Sequence, residues 1–191
     1  MKTIKLATIA FALVCATACK DNKKEDVKET EVEEVVKETS TEKIMKISLS
    51  PKSDSNVTGS VTFKELDGVV TMTAKMTGLS EGDHAIHIHT EADCSSADGT
   101  SAGGHWNPTA QPHGKWGAET GYHKGDIGNF TVAADGEGIV TLATDQWCIG
   151  CGDDTKDILG KAVIVHQGTD DFTSQPSGAA GSRISCGGII E

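Results

Sequence analysis

The chain has 191 residues, a formal net charge of −11 and 22 glycines, and only 4% of its residues are aromatic. That length suits one domain with an extension and leaves little room for two full domains. An acidic chain does not follow a phosphate backbone, so we expect no nucleic acid among its partners. The glycine-rich composition favours β-structure with many turns.

The N-terminus has the features of a secretory signal. Lys2 and Lys5 form a basic start, residues 6–14 form a short apolar stretch, and small residues follow. The stretch is too short and wrongly flanked for a transmembrane helix. The pattern therefore predicts export, and an exported protein can keep disulfides.

Cys19 comes directly after small residues, as in the lipobox of bacterial lipoproteins. We expect residues 1–18 to be a lipoprotein signal peptide and Cys19 to carry lipid that anchors the protein to a membrane. The alternative is an ordinary signal peptide cleaved near Ala18, because Ala16 stands where a lipobox usually has leucine. The predicted location is the periplasmic or cell-surface side of a bacterial membrane, with inner and outer membranes both left open.

Residues 19–43 are almost all charged or small polar. Such a segment cannot bury enough apolar area to offset the entropy of ordering it. We therefore expect a flexible tether over residues 19–43 and a folded domain over residues 44–191.

The folded part carries eight short segments with alternating or β-branched residues, several of them separated by turn signals. No stretch has a long helical period. The pattern predicts an all-β domain, an eight-stranded Greek-key barrel or sandwich. Its predicted strands cover residues 44–50, 59–65, 69–76, 84–90, 129–134, 138–144, 161–167 and 183–190. Residues 90–127 form a loop too long for a plain connection, so we expect it to be functional.

All seven histidines lie between residues 84 and 166. His87 and His89 are two apart in a strand, so they share one face and can share a metal. A single histidine in a strand is more often a core or surface residue with its hydrogen bonds satisfied, but this pair is followed by more histidines. The loop supplies three imidazoles and a carboxylate, a set that suits Zn²⁺, and His166 ends a later strand. These loop residues are His105, His113, His123 and Asp126. The spacing predicts one or two metals, zinc or copper, and leaves the reaction open.

Five segments resemble the motif series of the Cu/Zn superoxide dismutases, in the family's order: HAIHIH, AGGHWNP, HKGDIGNF, AVIVHQGTDD and GSRISCG. The resemblance covers about residues 46–191 and implies one copper and one zinc per chain. It places copper on His87, His89, His105 and His166, and zinc on His105, His113, His123 and Asp126. His105 would bridge the two metals, and His84 matches a structural histidine of the family rather than a ligand. Asp170 matches a carboxylate that links ligands of the two metals, with the adjacent Asp171 as the alternative match.

The same resemblance implies that the substrate is the superoxide anion, converted to dioxygen and hydrogen peroxide. Arg183 would hold the anion beside copper, and His105 would carry a proton to the product. The segment 167–182 has no lysine or arginine, whereas better-known members of the family steer superoxide with charges there. Lys115 and Lys124 are the remaining candidates for steering.

The family joins the positions of Cys94 and Cys186 by a disulfide, so the resemblance implies one here. Cys148 and Cys151 have no counterpart in that pattern. They are interpreted as a local disulfide, with a redox dithiol and a soft-metal half-site as alternatives.

Three rival functions remain beside the enzyme. A non-catalytic copper-binding or copper-delivery protein could use the same fold, because fold alone does not determine function. A structural lipoprotein would have no reason to keep a full ligand set, and a copper-only enzyme would not need the zinc ligands. The family implies either a monomer or a homodimer, and the sequence does not choose between them.

Overall fold

A computed structural model describes residues 41–190 of the chain. It contains eight β-strands and one short 3₁₀ turn, Thr100–Ala102. The strands are β1 Lys43–Pro51, β2 Thr58–Leu66, β3 Val69–Thr77, β4 Gly82–His89, β5 Gly128–Val132, β6 Gly138–Thr144, β7 Ala162–His166 and β8 Arg183–Gly188. The predicted signal peptide, the Cys19 lipidation site and most of the predicted tether lie outside the described residues. Among residues 41–190, no helix has the length and apolar character that a membrane crossing requires.

The eight strands form one antiparallel sheet in the order β5-β4-β7-β8-β1-β2-β3-β6. The two end strands, β5 and β6, are consecutive in the chain and contact each other, so the sheet is nearly closed into a barrel. Neighbours such as β4 and β7, or β1 and β8, are far apart in sequence, which is typical of Greek-key connections. The predicted all-β Greek-key barrel is confirmed.

The barrel interior is filled by every second residue of the amphipathic strands. In β3, for example, Val70, Met72, Ala74 and Met76 are buried and the residues between them are not. This period of two puts one face of the strand on the core and the other towards solvent. Each large apolar side chain buried in this way contributes about 1.5–3 kcal/mol relative to an exposed one.

Strands β4 and β7 differ because they are buried on both faces. Ile86 and Ile88 of β4 belong to the barrel core, and His87 and His89 alternate with them. Alternation therefore directs the two histidines to the outer face, where they are buried as well. The long loop over residues 90–127 contributes to that cover, since the backbone of His105 forms a β-bridge with His89.

A disulfide between Cys94 and Cys186 joins this loop to β8, across 92 residues of sequence. Cys186 is almost fully buried, and it packs with Ala102, Ala162 and Ile164 in a small apolar cluster. The predicted disulfide is therefore present. The loop that carries the histidines is fixed to the barrel near its start.

Candidate metal centre

Four buried histidines converge on the outer face of the barrel. His87 and His89 come from β4, His166 ends β7 and His105 comes from the long loop. One ring nitrogen from each of the four lies within 4.8 Å of the others. The sequence-predicted copper ligands are thus brought together by two neighbouring strands and one loop.

A second group of four shares His105 with the first. Asp126 is at its centre, with ring nitrogens of three histidines around its carboxylate. Nδ1 of His105 lies 2.8 Å from Oδ1 of Asp126, and Nδ1 of His123 lies 3.2 Å from the same oxygen. Nδ1 of His113 lies 3.0 Å from Oδ2. Three imidazoles and one carboxylate are the number and type of ligand that a tetrahedral zinc site requires.

Six buried ring nitrogens in residues 41–190 have no hydrogen-bond partner. They are Nδ1 of His87, Nε2 of His89, Nε2 of His105, Nε2 of His166, Nδ1 of His113 and Nδ1 of His123. The first four belong to the first group and the last two to the second. Buried polar atoms are rarely left without partners. These nitrogens therefore suit metal binding, because each can donate a lone pair to a metal ion.

The seventh histidine provides the contrast. Nδ1 of His84 lies 3.0 Å from the carbonyl oxygen of His166, and Nε2 lies 3.0 Å from that of Ser80. With both ring nitrogens partnered, His84 has no atom free for a metal. It instead connects β4 to the backbone of His166.

The carboxylate of Asp170 links a histidine of the first group to a histidine of the second. Nε2–H of His87 donates to Oδ2 at 2.9 Å, and Nε2–H of His113 donates to Oδ1 at 2.8 Å. The adjacent Asp171 is exposed and accepts hydrogen bonds from Thr173 and Ser174 of its own turn. The linking position is occupied by Asp170 and not by the alternative, Asp171.

Backbone carbonyls orient the other two ligands of the first group. Nδ1–H of His89 donates to the oxygen of Gly103 at 2.9 Å, and Nδ1–H of His166 donates to that of Gly181 at 3.3 Å. Each bond fixes the tautomer so that Nε2 keeps its lone pair. These carbonyls could not be found from the sequence, because any residue type supplies one.

Burial keeps three histidines of the first group neutral, namely His89, His105 and His166. It lowers the pKa of His105 to about 4, although the hydrogen bond to Asp126 opposes the change. It lowers the pKa of His166 to about 3, with a further contribution from the ring of His87. The pKa of His89 is also well below its ordinary value, mainly through burial. Neutral imidazole is the form that binds metal ions.

Asp126 is held in its ionised form. Burial alone would raise its pKa, but hydrogen bonds from His105, from His123 and from the backbone N–H of Gly114 outweigh burial. The pKa of Asp126 therefore lies well below its usual range. A carboxylate ionised at neutral pH is ready to bind a cation.

The sequence model of the copper/zinc superoxide dismutase (SODC) family matches residues 57–189. That range contains both groups of ligands together with Asp170 and Arg183. The chain belongs to the copper/zinc superoxide dismutase family. Membership agrees with the eight-stranded barrel and with two histidine groups able to hold metal ions.

Two solved structures of SOD-like proteins from Bacillus subtilis are similar to this family member. One is a double mutant in which histidines replace a tyrosine and a proline. It is 32% identical with a TM-score of 0.68, and the match covers 76% of this chain and 97% of that chain. The other is 30% identical with a TM-score of 0.67, covering 75% of this chain and 97% of that chain. The similarity extends over nearly all of each Bacillus protein.

A cavity of about 370 Å³ opens beside the first group. His89, His105 and His166 line one side, and the half-buried Arg183 lines another. Nη1 of Arg183 donates a 2.8 Å hydrogen bond to the carbonyl oxygen of Gly99, which fixes the guanidinium against the long loop. Among the residues that line this cavity, Arg183 alone carries a permanent positive charge.

Lys115 and Lys124, the candidates for steering, do not line this cavity. Lys115 is exposed elsewhere in the loop. Nζ of Lys124 donates to Oε1 of Gln146 at 2.6 Å. Lys124 and Tyr122 line a different cavity. Long lysine side chains follow local acceptors, and their direction could not be read from position in the sequence.

Three residues that support the site were missed in the sequence. Asn129 exchanges two hydrogen bonds of 2.8 Å with the backbone of Asp170. The side-chain amide of Gln175 exchanges two of 2.9 Å with the backbone of His113. Gly178 has a φ of +66°, and a Cβ there would collide with Asp170 and His113. Of the three, only Asn129 lies in one of the family motifs, HKGDIGNF, and the motif does not indicate its role.

Proposed function

We propose that this chain is a superoxide dismutase that converts superoxide to dioxygen and hydrogen peroxide. Copper would be held by His87, His89, His105 and His166, and zinc by His105, His113, His123 and Asp126. The observation that carries the proposal is the set of six partnerless ring nitrogens, divided between two groups that share His105. When bound, copper supplies one-electron oxidation and reduction, and zinc supplies a fixed positive charge.

Arg183 binds the substrate in this proposal. Superoxide is a small anion, and the guanidinium offers a permanent charge with several N–H donors in a fixed plane. Its bond to Gly99 fixes the guanidinium in the wall of the cavity before the anion arrives. Arg183 is half-buried, so its charge is less screened by water than that of a fully exposed side chain.

His105 supplies a proton to the product in this proposal. Nδ1 is held at Asp126, whereas Nε2 belongs to the first group and His105 lines the cavity. If Nδ1 held zinc, the neutral ring could carry its single proton at Nε2 whenever that atom is not bound to copper, and His105 lines the same cavity as Arg183. Peroxide must leave as a protonated species, so a proton at Nε2 of His105 would serve the product.

The test is dismutation by the full chain after loading with copper and zinc, together with metal analysis. The proposal expects one copper and one zinc per chain and fast removal of superoxide. Full loading of both metals with negligible removal of superoxide would overturn it. That result would leave a non-catalytic copper-binding or copper-delivery protein on the same fold.

We also propose that the protein is exported and anchored through lipid at Cys19. The support is the arrangement of Lys2, Lys5, an apolar stretch and small residues before that cysteine. Cys19→Ser should move the protein from the membrane fraction to the soluble fraction of the producing cells. Equal membrane retention of both forms would contradict the anchor.

A further inference from the structure

Cys148 and Cys151 form a second disulfide, away from both histidine groups. The two sulfurs and a carboxylate oxygen of Asp157 lie within 4.8 Å of one another. The family pattern assigns no role to this cluster, and the dismutation proposed above does not use it.

The loop that carries the cluster is held by bonds other than the disulfide. Cys148 N–H donates to the carbonyl oxygen of Lys156 at 2.9 Å, and Ile158 N–H donates to that of Cys148 at 3.1 Å. Asp157 accepts hydrogen bonds from the N–H groups of Gly150 and Gly152 at 2.9 and 3.0 Å. These bonds close the loop at both ends, and none of them is formed by the sulfur atoms.

The two disulfides differ in access to solvent. Cys151 is exposed, whereas Cys148 has only 6% of its surface accessible. Cys186 has 1% accessible, and its partner Cys94 is half-buried. Thiol–disulfide exchange requires an attacking thiolate to reach a sulfur, so Cys151 offers the most open point of attack among the four.

We propose that Cys148, Cys151 and Asp157 form a redox-dependent binding site for a thiophilic metal cation such as Cu⁺ or Zn²⁺. The oxidised site holds no thiolate and binds no metal. The reduced site offers two soft thiolates beside a fixed carboxylate, and thiolates select Cu⁺ and Zn²⁺ over harder cations. Bound metal would offset part of the negative charge that the three groups concentrate in one loop.

The reductant is a dithiol, either a small molecule or a protein. Its thiolate attacks Sγ of Cys151, the Cys148–Cys151 bond breaks, and Cys148 leaves as a thiolate. The second thiol of the reductant then attacks the mixed disulfide and releases Cys151 as a thiolate. Two electrons pass from the dithiol, which becomes a disulfide, to the protein, which gains two thiols. Metal binding releases any protons that these thiols hold.

Selective reduction is tested first, on the full chain carrying Cys15→Ser and Cys19→Ser, with zinc in the histidine site. The protein is treated with increasing dithiothreitol, alkylated with iodoacetamide and mapped by peptide mass spectrometry. We expect Cys148 and Cys151 to be alkylated at reductant concentrations that leave Cys94 and Cys186 joined. Reduction of the Cys94–Cys186 disulfide first, or of both together, would overturn the proposal.

Metal binding is tested next, after anaerobic removal of the reductant, with Cd²⁺ as the probe. Thiolate-to-cadmium charge transfer gives an ultraviolet absorption that histidine ligands do not produce. We expect one equivalent of Cd²⁺ to give this absorption in the reduced protein and none in the oxidised protein. Free thiols at both cysteines without the absorption would overturn the site.

Two variants assign the ligands. Cys148→Ser with Cys151→Ser should abolish the absorption, and its persistence would overturn the site. Asp157→Asn should still be reduced but should bind Cd²⁺ more weakly, and equal affinity would remove the carboxylate from the site. Dismutation by the oxidised protein is measured separately, so the failure of either proposal can be distinguished from that of the other.

Discussion

Oδ2 of Asp170 accepts a 2.9 Å hydrogen bond from Nε2 of His87 on strand β4. The other oxygen of the same carboxylate accepts a 2.8 Å bond from His113 in the long loop. One side chain from the β7–β8 connection therefore orients a ligand of each group. Changes at Asp170 should affect both metal sites at once.

Asp170→Asn is expected to weaken the binding of both metals. The neutral amide oxygen forms a weaker hydrogen bond with one histidine than the carboxylate does, and the amide NH₂ cannot accept from the other, so both rings lose support. Removing such a supporting hydrogen bond costs about 10–100-fold in metal affinity. Competition titrations with a chelator, run separately for copper and zinc, measure the change.

Asp171→Asn is the matched control. It makes the same chemical change at an exposed neighbour whose carboxylate accepts hydrogen bonds from Thr173 and Ser174. Its metal affinities should equal those of the original protein. Equal losses in both variants would contradict the role assigned to Asp170.

Gly178→Ala should also loosen the zinc group. The new Cβ would overlap Oδ1 of Asp170 and Nε2 of His113, the two atoms that share a hydrogen bond. Gly160→Ala is the control, because Gly160 also has a positive φ, +76°, but nothing within 4 Å of an added Cβ. Both variants carry the left-handed strain of about 1–2 kcal/mol. Only Gly178→Ala should lose zinc affinity, and a matching loss in Gly160→Ala would assign the effect to strain.

The fold could be predicted from the sequence because it depends on periodic patterns, whereas the division of the ligands between copper and zinc rested on the resemblance to the family. Alternation marks amphipathic strands such as β3, and His87 and His89 share a face whatever the neighbouring strands are. Choosing Asp170 over Asp171 required the path of the loop after β7. The carbonyls of Gly103 and Gly181 depend on backbone direction alone, so no residue type marks them.

Arg183→Ala should lower the rate constant for superoxide removal without changing the metal content. A hydrogen bond to a charged group contributes about 1.5–3 kcal/mol, which corresponds to about a tenfold to hundredfold loss. Arg183→Lys should recover part of the rate, since it keeps the charge but not the planar donors. Steady-state rates of the original and both variants measure the losses.

The control for charge is Lys115→Ala. Lys115 is exposed and lies outside the cavity, so its removal should leave the rate nearly unchanged at moderate ionic strength. A larger loss in Lys115→Ala than in Arg183→Ala would contradict the assignment of the anion site to the cavity.

The metal-free protein should lose stability on mild acidification. In the unfolded chain, His105 and His166 have the ordinary histidine pKa of 6.5, whereas in the fold these values are about 4 and about 3. Between these limits the unfolded state binds more protons, so the free energy of unfolding falls as the pH decreases below 6.5. Urea unfolding at several pH values measures the slope. His166→Asn should reduce it, and an unchanged slope would remove His166 from the explanation.

The two disulfides should differ in their contribution to stability. Cys94 and Cys186 are 92 residues apart, whereas Cys148 and Cys151 are only 3 apart. A cross-link stabilises mainly by restricting the unfolded chain, and the effect grows with the length of the loop it closes. Replacing Cys94 and Cys186 by serine should therefore cost about 2–5 kcal/mol in the free energy of unfolding. Replacing Cys148 and Cys151 should cost much less.

Urea unfolding of the two double variants, both metal-free, makes the comparison. The Cys94–Cys186 variant should also bind copper more weakly, because the disulfide fixes the start of the loop that carries His105. The Cys148–Cys151 variant should keep its copper affinity, since those cysteines lie outside both histidine groups. Equal losses of stability would show that loop closure is not how the Cys94–Cys186 disulfide acts.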